Sequence, residues 1–453
     1  MNQTTEPMSQ VYKNHYLNHN HLLENSGLKS SSFAANRGKL LIISHTDFFD
    51  TMIDFAIWKR QLGFEVILVS QKDAGTSPEQ LKQFVQSQYD KDQTLGYLIL
   101  VGDAEFIPFH PGTAGNAIGN EADPMYGLLE GQDSYPEIPV ARFSVKTKTE
   151  LQTILEKGYR YEKYPETLNW FGQATNIASD EGIPTDAERA DVLRDMLLGS
   201  TFYHVDQIYD PGARPSEILA ALNSGRSLVN YIGHGTERDW ITGYFDRGHI
   251  RELKNFDKFP LIVSVACVNG RFAWSEGDSF AEVWSKAGTP DSPTGALAIF
   301  ASSTNQTWVP PTWGQKKINE LISKGQPGLI GPLLMSGSIE VLNRGDYSAV
   351  QTFQTWHTFG DPTIEFKLHS PESISMVAAP ERSVLTQNRL ILGKPGIRAT
   401  FSTPQKMYIT KLSNQQGVIE FDAAQIEDLK SLDLTLTLSG SGMIPVSSDF
   451  RID

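Results

Sequence analysis

Cysteine, basic residues and long apolar runs are all scarce in this sequence. One cysteine among 453 residues excludes an intramolecular disulfide framework. With 39 basic against 53 acidic residues the net charge is -14, which argues against a nucleic-acid partner because phosphate binding needs a basic surface. No apolar run reaches the roughly 20 residues that a membrane-spanning helix needs. The first residues are polar, so no signal peptide is visible in this chain.

The overall composition is that of a globular protein. Hydrophobic residues make up 40% of the chain and charged residues 20%, a balance unlike that of disordered or membrane proteins. The length predicts two or three packed units, since one ordinary domain is shorter than this. We expect a monomer.

Short apolar runs alternate with segments of helical spacing through most of the chain. "KLLIIS" (39–44) and "EVILVS" (65–70) are typical of buried strands, and between them lies a segment with helical periodicity. Ser77 and Pro78 predict the start of a further helix, with serine as N-cap and proline in the first turn. Strands that alternate with helices indicate crossover connections and mostly parallel sheets, so the predicted fold class is α/β.

Changes in this pattern predict four segments. Residues 1–37 form a polar leader, residues 38–165 a first α/β subdomain, and residues 166–370 a second one beside it. Residues 371–453 contain short alternating runs separated by turns, which is typical of a small β-sandwich.

Two predicted strands of the second α/β segment end close to chemically reactive side chains. "SLVNYIG" is followed by His234, and "LIVSVAC" ends in Cys267. The carboxyl ends of parallel strands form the ligand crevice of open α/β sheets, so both side chains are expected at one edge. An imidazole next to a thiol favours the nucleophilic thiolate. Because a lone cysteine or histidine is usually structural, the pattern alone leaves the catalytic and structural interpretations equally open.

Four segments around these residues resemble one family of enzymes. "VNYIGHGTERDW", "SVACVNGRF", "TGALAIFASSTNQTW" and "TFGDPTIEF" are similar to the gingipain family of cysteine endopeptidases, whose fold is related to that of caspases. The resemblance runs from about residue 38 to the end of the chain. It implies a caspase-like catalytic domain of two α/β subdomains, followed by an immunoglobulin-like domain. It also favours a secreted protein that acts on protein or peptide substrates.

The resemblance implies a role for each residue of a catalytic site. Cys267 is the expected nucleophile, with a pKa below the usual thiol value, and His234 is the expected proton carrier. Backbone N–H groups of Gly235 and Cys267 are expected to hold the oxyanion. Glu181 matches the family pattern for the residue that orients the imidazole, whereas Asp180 is as readily a solvated loop acid.

The same resemblance implies cleavage after basic residues, arginine in preference to lysine. Asp186 matches the acid of the specificity pocket, although a helix N-cap role is a rival interpretation that would move the search to Asp239 or Asp346. Trp308 matches an aromatic wall of the pocket, and Gln306 lies in the same loop. Thr312 and Arg271 depart from the family pattern.

Structural calcium is the expected cofactor. The segment "EGQDSYPE" offers oxygen ligands of the kind that Ca²⁺ prefers, and Asp103 resembles part of a second family site. The predicted ligands are Asp103, Glu130, Asp133, Tyr135 and Glu137.

Two other functions stay open from the sequence. The first is a catalytically silent member of the family that acts as an adhesin or binding protein, which the presence of Cys267 and His234 argues against. The second is an intracellular caspase-like regulatory protease, which the predicted β-sandwich argues against.

Overall fold

The computed structural model describes residues 37–164, 170–345, 347–374 and 388–452. Except for Arg37, the predicted leader lies outside the described residues, as does Asp346. Every helix in the described part of the chain is too short or too polar to cross a membrane.

The first twelve strands build the α/β part of the molecule. They are β1 (Lys39–Ser44), β2 (Glu65–Ser70), β3 (Leu95–Val101), β4 (Val140–Phe143), β5 (Gln173–Ala178), β6 (His204–Tyr209), β7 (Leu228–Ile232), β8 (Asp239–Trp240), β9 (Phe245–Asp246), β10 (Leu261–Val265), β11 (Ala298–Ser302) and β12 (Trp356–Gly360). Ten of them form one sheet in the order β2-β1-β3-β4-β12-β11-β10-β7-β5-β6, while β8 and β9 pair only with each other.

The predicted mostly parallel α/β class is confirmed, with one difference in detail. All neighbouring strands of the ten-stranded sheet are parallel except β11 and β12, which run antiparallel. The two predicted α/β segments therefore share one sheet instead of having one each. The link is strand β12, where Thr358 pairs with Ala141 and Phe359 with Arg142.

Helices cover both faces of this sheet. The α-helices of the described residues are Thr51–Gln61, Gln71–Ala74, Pro78–Lys91, Lys148–Lys163, Asp186–Leu198, Pro215–Ser224, Arg247–Arg251, Phe280–Lys286, Pro310–Ser323, Ile330–Arg344, Tyr347–Thr355 and Ala423–Leu429. Short 3₁₀ turns lie at Gly115–Ala117, Asp123–Gly127 and Thr242–Tyr244. The predicted cap of the third helix is confirmed, because the Ser77 side chain accepts a hydrogen bond from the backbone N–H of Gln80.

The core lies on both sides of the central strands. Leu228 and Leu261 pack into one hydrophobic cluster, whereas the next residues along each strand, Val229 and Ile262, pack into the cluster on the opposite face. Because both faces are buried, these strands are continuously apolar and show no alternation. Their carboxyl ends are thereby held rigidly at one edge of the sheet.

The C-terminal part of the chain is β-structure with its own core. Its strands are β13 (Glu372–Ser373), β14 (Arg389–Ile391), β15 (Arg398–Ser402), β16 (Met407–Leu412), β17 (Val418–Glu420), β18 (Leu434–Ser439), β19 (Met443–Ile444) and β20 (Val446–Phe450). Four form an antiparallel sheet in the order β16-β15-β18-β20, and two pairs, β13 with β19 and β14 with β17, form small sheets beside it. Apolar side chains such as Phe401 and Leu436 fill the core.

Candidate active site

Three neighbouring strands bring the predicted catalytic residues to one edge of the sheet. In β7, Ile232 lies opposite Val265 of β10 on one side and Ala178 of β5 on the other. His234, Cys267 and Glu181 follow these paired residues by two or three positions. The register of the sheet therefore sets the three side chains next to one another, as the strand-end argument predicts.

Cys267 and His234 line the same cleft. The cleft also includes Asp186, Gln306 and Trp308, so five of the residues singled out in the sequence meet there; its remaining walls are Ile232, Gly233, Val265, Ala266 and Thr307.

The Cys267 thiol is partly buried, with its sulfur 4.0 Å from the backbone oxygen of Gln306. Burial raises the pKa of the Cys267 thiol above its usual value, because desolvation disfavours the thiolate. The sequence-based expectation of a lowered pKa is therefore wrong for the free protein. A thiolate at this position depends on proton transfer to a base.

The imidazole of His234 is held between an acid and an aromatic ring. Its Nε2 atom lies 3.0 Å from Oε2 of Glu181, and its ring centre lies 5.1 Å from that of Trp308, edge to face. Both polar side chains are about half exposed. When Nε2 carries the proton that Glu181 accepts, Nδ1 is the free base. The structure thus brings Glu181, rather than its neighbour Asp180, to the imidazole.

Gly235 allows two loops to meet. A Cβ atom at this position would lie 2.7 Å from Nδ2 of Asn269, 2.9 Å from Cβ of Ala266 and 3.1 Å from the backbone oxygen of Cys267. Any side chain would push the histidine loop, residues 233–241, away from the cysteine loop, residues 266–271. Glycine therefore permits the close packing of these two loops.

Asp186 lies at the bottom of the cleft, on the first turn of the helix Asp186–Leu198. Its carboxylate is fully buried and accepts hydrogen bonds from Ser179 Oγ (2.7 Å) and Trp308 Nε1 (3.2 Å). Burial raises the pKa of the Asp186 carboxyl, since neither donor supplies a full positive charge. The rival N-cap interpretation is wrong, because Thr185 is the N-cap and Glu188 completes its capping box.

The loop above Asp186 carries polar atoms that lack partners. Among the described residues, both side-chain polar atoms of Gln306 and the hydroxyl of Thr307 are buried without a hydrogen-bond partner. These atoms are available to hydrogen-bond a molecule bound in the cleft. Thr307 was not singled out in the sequence, where a threonine beside a predicted pocket residue carries no distinctive signal.

The remaining residues discussed from the sequence lie outside the cleft lining. Thr312 is buried in the first turn of its helix and donates to the Val309 backbone oxygen. Asp239 accepts a hydrogen bond from the Thr236 hydroxyl. Arg271 pairs with Glu237 at 3.1 Å, so it joins the cysteine loop to the histidine loop across their exposed side.

A buried acidic cluster could hold a metal ion. Carboxylate oxygens of Asp103, Asp278 and Glu282 lie within 4.8 Å of one another. Lys146 lies 3.0 Å from Asp103, and Lys286 lies 2.9 Å from Asp278, so two ammonium groups already balance part of the charge. The sequence pointed to Asp103 alone, because its two neighbours lie far along the chain.

The other predicted metal ligands lie in a loop that closes on itself. Oε2 of Glu137 accepts the backbone N–H of Glu130 (3.0 Å), and Oδ1 of Asp133 accepts that of Tyr135 (2.8 Å). The Glu130 carboxylate accepts a hydrogen bond from the Tyr89 hydroxyl (2.8 Å). Burial, together with the nearby acids Glu130 and Asp133, raises the pKa of the Glu137 carboxyl. The loop therefore brings three carboxyl groups close together, with the Lys82 ammonium nearby.

Fold and site together define an α/β protein built around a thiol, an imidazole and a carboxylate at the carboxyl edge of a parallel sheet, which is the arrangement of a cysteine peptidase. The profile of peptidase family C25 matches residues 34–367, so the chain belongs to that family. The resemblance found in the sequence motifs is confirmed.

Named relatives support the same assignment. Gingipain R2 of Porphyromonas gingivalis is 32% identical over 92% of this chain, and gingipain R1 is 34% identical over 82%. The chain spans 58% of the length of gingipain R2 and 38% of that of gingipain R1. The crystal structure of the Arg-specific cysteine proteinase gingipain R covers 92% of this chain and 98% of its own, with 31% identity and a TM-score of 0.83.

Proposed function

We propose that this protein is a cysteine endopeptidase that cleaves after basic residues, with arginine favoured over lysine. The proposal depends on one observation: the thiol of Cys267, the imidazole of His234 and the buried carboxylate of Asp186 line the same cleft. The named relatives are consistent with it, since gingipain R is described as Arg-specific. The partners of this function are protein or peptide substrates.

In the proposed mechanism His234 moves the protons. The imidazole takes the thiol proton as the Cys267 sulfur attacks the scissile carbonyl carbon, and the C–O π electrons move to oxygen. The intermediate then collapses, the C–N bond breaks, and the imidazolium gives its proton to the leaving amine. Water attacks the carbonyl carbon of the resulting thioester while His234 takes a proton from it. The C–S bond then breaks, the carboxylic acid product leaves, and the imidazolium returns its proton to the Cys267 sulfur.

The surrounding groups support these charges. Glu181 orients the imidazole and stabilises the imidazolium through the contact at Nε2. The backbone N–H groups of Gly235 and Cys267 are our candidates for holding the oxyanion, because no side chain separates the two loops there.

A basic side chain would enter the cleft towards Asp186. The buried carboxylate would pair with a guanidinium, and Trp308 would offer a ring face to its plane. Arginine can use both partners, whereas the compact ammonium of lysine depends more on the placement of the acid. The Gln306 amide would hydrogen-bond the substrate, which its lack of a partner among the described residues supports.

We also propose the domain organisation that the sequence predicts. We propose two α/β subdomains, residues 38–165 and 166–370, that share the continuous sheet. Residues 371–453 would form an immunoglobulin-like domain, and the antiparallel sheet with its separate core supports that assignment.

A screen of fluorogenic peptides that vary the residue before the scissile bond tests the proposed function. We expect kcat/KM for arginine to exceed that for lysine, and to exceed that for neutral residues by at least about 30-fold, since an unpaired buried charge costs about 2 kcal/mol or more. Prior alkylation of the protein should remove all cleavage. If the thiol is intact and no peptide is cut, the protein is a binding protein of the same fold.

We also propose that Ca²⁺ binds the loop of Glu130, Asp133, Tyr135 and Glu137, because three carboxyl groups lie close together there and the neighbouring acids help to raise the pKa of Glu137. The ion would stabilise the fold without entering the chemistry. Removal of calcium with EDTA is therefore expected to lower Tm by a few degrees while kcat changes little.

A pair of variants distinguishes this calcium loop from the acidic cluster. The double variant D133N/E137Q should make Tm insensitive to EDTA, whereas Asp278→Asn should lower Tm and leave the EDTA effect intact. An EDTA effect on Tm that disappears only in Asp278→Asn would instead place the ion in the cluster. A wild-type Tm indifferent to EDTA, with no metal by elemental analysis, would end the proposal.

A further inference from the structure

We infer that Asn269 is a positioning residue that locks the histidine loop to the cysteine loop, and so fixes His234 and the Gly235 backbone relative to Cys267. The side chain is completely buried two residues after the thiol. Its Nδ2 atom donates to the backbone oxygens of Thr236 (2.6 Å) and Asp239 (3.0 Å), and its Oδ1 atom accepts from Ser264 Oγ (2.9 Å).

The histidine loop is a small closed unit that these bonds hold as a whole. Ile241 donates its backbone N–H to the His234 oxygen (3.1 Å), and Thr236 donates to the Asp239 oxygen (3.1 Å). His234 therefore sits at one end of a hairpin whose tip is formed by Thr236 and Asp239. Asn269 bonds both carbonyls at that tip, so movement of the hairpin requires breaking both bonds.

The cysteine loop provides a fixed base for this contact. Val268 has φ of 45°, a conformation that is strained for a β-branched residue. It is maintained by the bond from the Val268 N–H to the Thr304 oxygen (3.0 Å) and by that from the Gly270 N–H to the Ser302 oxygen (2.7 Å). Asn269 lies between these two anchors, and the Ser264 hydroxyl is in turn held by Trp240 Nε1 (3.0 Å).

Only a carboxamide fits this environment. Two carbonyl oxygens accept hydrogen bonds here and one hydroxyl donates one, and the side chain of asparagine supplies both donors and the acceptor in one plane. Aspartate has the same shape but no donors when ionised, so it would set a negative charge against two carbonyl oxygens. Loss of the two bonds would release the hairpin without removing any group that touches the substrate.

The expected effect of Asn269 on kcat rests on the proposed function, because it is measured as peptide cleavage. The pocket formed by Asp186 and Trp308 belongs to other segments of the chain. Loss of the Asn269 bonds should therefore lower kcat and leave KM nearly unchanged. We expect Asn269→Asp to lower kcat per active site by about 10- to 100-fold, the scale of a small misplacement of reacting groups, with KM within about threefold. The rate of Cys267 alkylation by iodoacetamide should fall as well, because His234 no longer meets the thiol.

The measurement compares Asn269→Asp with Arg271→Gln, which removes the exposed ion pair between the same two loops and should change kcat by less than about twofold. Active sites are counted by covalent labelling of Cys267, so that loss of folded protein is separated from loss of rate. An unchanged kcat per labelled site in Asn269→Asp would assign the residue a purely structural role and overturn the inference.

A second variant and the alkylation rates test the role of Asn269 when Asn269→Asp does not fold or when no peptide is cleaved. If Asn269→Asp does not fold, Ser264→Ala removes the hydroxyl that orients the amide and should show the same kcat-against-KM split in milder form; equal kcat per site there would contradict the inference. If the wild-type protein cuts no peptide, the proposed function fails, whereas the alkylation rates of wild type and variant still decide whether Asn269 positions His234.

Discussion

Cys267→Ala is expected to abolish peptide cleavage, with kcat lowered by about 10⁴-fold or more, because no other thiol exists to form the acyl-enzyme. The cleft itself should persist, since the hydrogen bond from the sulfur to the Gln306 oxygen is long, at 4.0 Å, and its loss should cost little. A reversible arginine-based competitive inhibitor should therefore bind the variant with nearly unchanged affinity. Both quantities are measured on the purified proteins with one arginyl substrate.

Alkylation provides the matching control on the unaltered chain. Since Cys267 is the only cysteine, complete inactivation should require one label per chain, and a bound competitive inhibitor should slow the labelling. His234→Gln should retain the thiol but lose nearly as much activity, because the raised pKa of the buried thiol leaves little thiolate without a base. Residual activity in Cys267→Ala at a substantial fraction of wild type would refute the assignment of the nucleophile.

Asp186→Asn is expected to lower kcat/KM for arginyl substrates by about 30-fold or more, which corresponds to the loss of a charge-assisted bond of about 2 kcal/mol. Cleavage after a neutral residue should change much less. The asparagine keeps one oxygen as acceptor for Trp308, and the Ser179 hydroxyl can reverse its role, so the cleft retains its shape. Steady-state kinetics with paired arginyl and neutral substrates give the ratio directly.

Asp186→Asn should not lower the stability of the protein, although it lowers kcat/KM. The folded protein raises the pKa of Asp186, so the folded state binds more protons than the unfolded state between the ordinary aspartate pKa and the raised one. Its contribution to stability therefore rises as pH falls through that window, and at neutral pH the ionised carboxyl costs stability. Asp186→Asn should leave the free energy of unfolding unchanged or higher at pH 7 when measured by urea denaturation.

Thr185→Ala is the matched control for this experiment. Thr185 is the true N-cap of the same helix, so its loss should cost about 1 kcal/mol of stability while leaving the preference for arginine intact. If Asp186→Asn instead behaves like Thr185→Ala, with stability lost and arginine cleavage preserved, Asp186 is not the pocket acid.

Much of the fold could be predicted from local sequence patterns, such as apolar runs and helix-capping residues. Strands 39–44 and 65–70 lie where their apolar runs predict them, and the helix Pro78–Lys91 begins at the predicted cap. Strands β4 and β12 were not predicted from the sequence, because they are only four and five residues long and buried throughout. Neither their length nor an alternation of apolar and polar residues identifies them as strands. Without them, the union of both halves in one sheet could not be predicted.

The site was predictable to the extent that it depends on strand ends. His234, Cys267 and Glu181 follow adjacent strands, so their meeting follows from topology once the strands are recognised. The sign of the Cys267 pKa shift was not predictable, because it depends on how deeply the folded cleft buries the sulfur. Contacts between distant segments, such as Asp103 with Asp278 or Asn269 with Thr236, leave no trace in local spacing.

The position of β12 has a consequence for biogenesis. Strand β4 is free to pair with β3 once both have left the ribosome, yet its other edge must wait for β12, which is synthesised roughly two hundred residues later. During that interval the nascent chain carries the unpaired edge of a strand, Val140–Phe143, whose residues are all buried in the folded protein, and unpaired strand edges recruit other chains. Formation of the β4–β12 pair closes a very long loop, so it should be a late and slow event in refolding. Chaperone dependence and aggregation during expression are therefore expected to be most severe for truncations that end before Trp356.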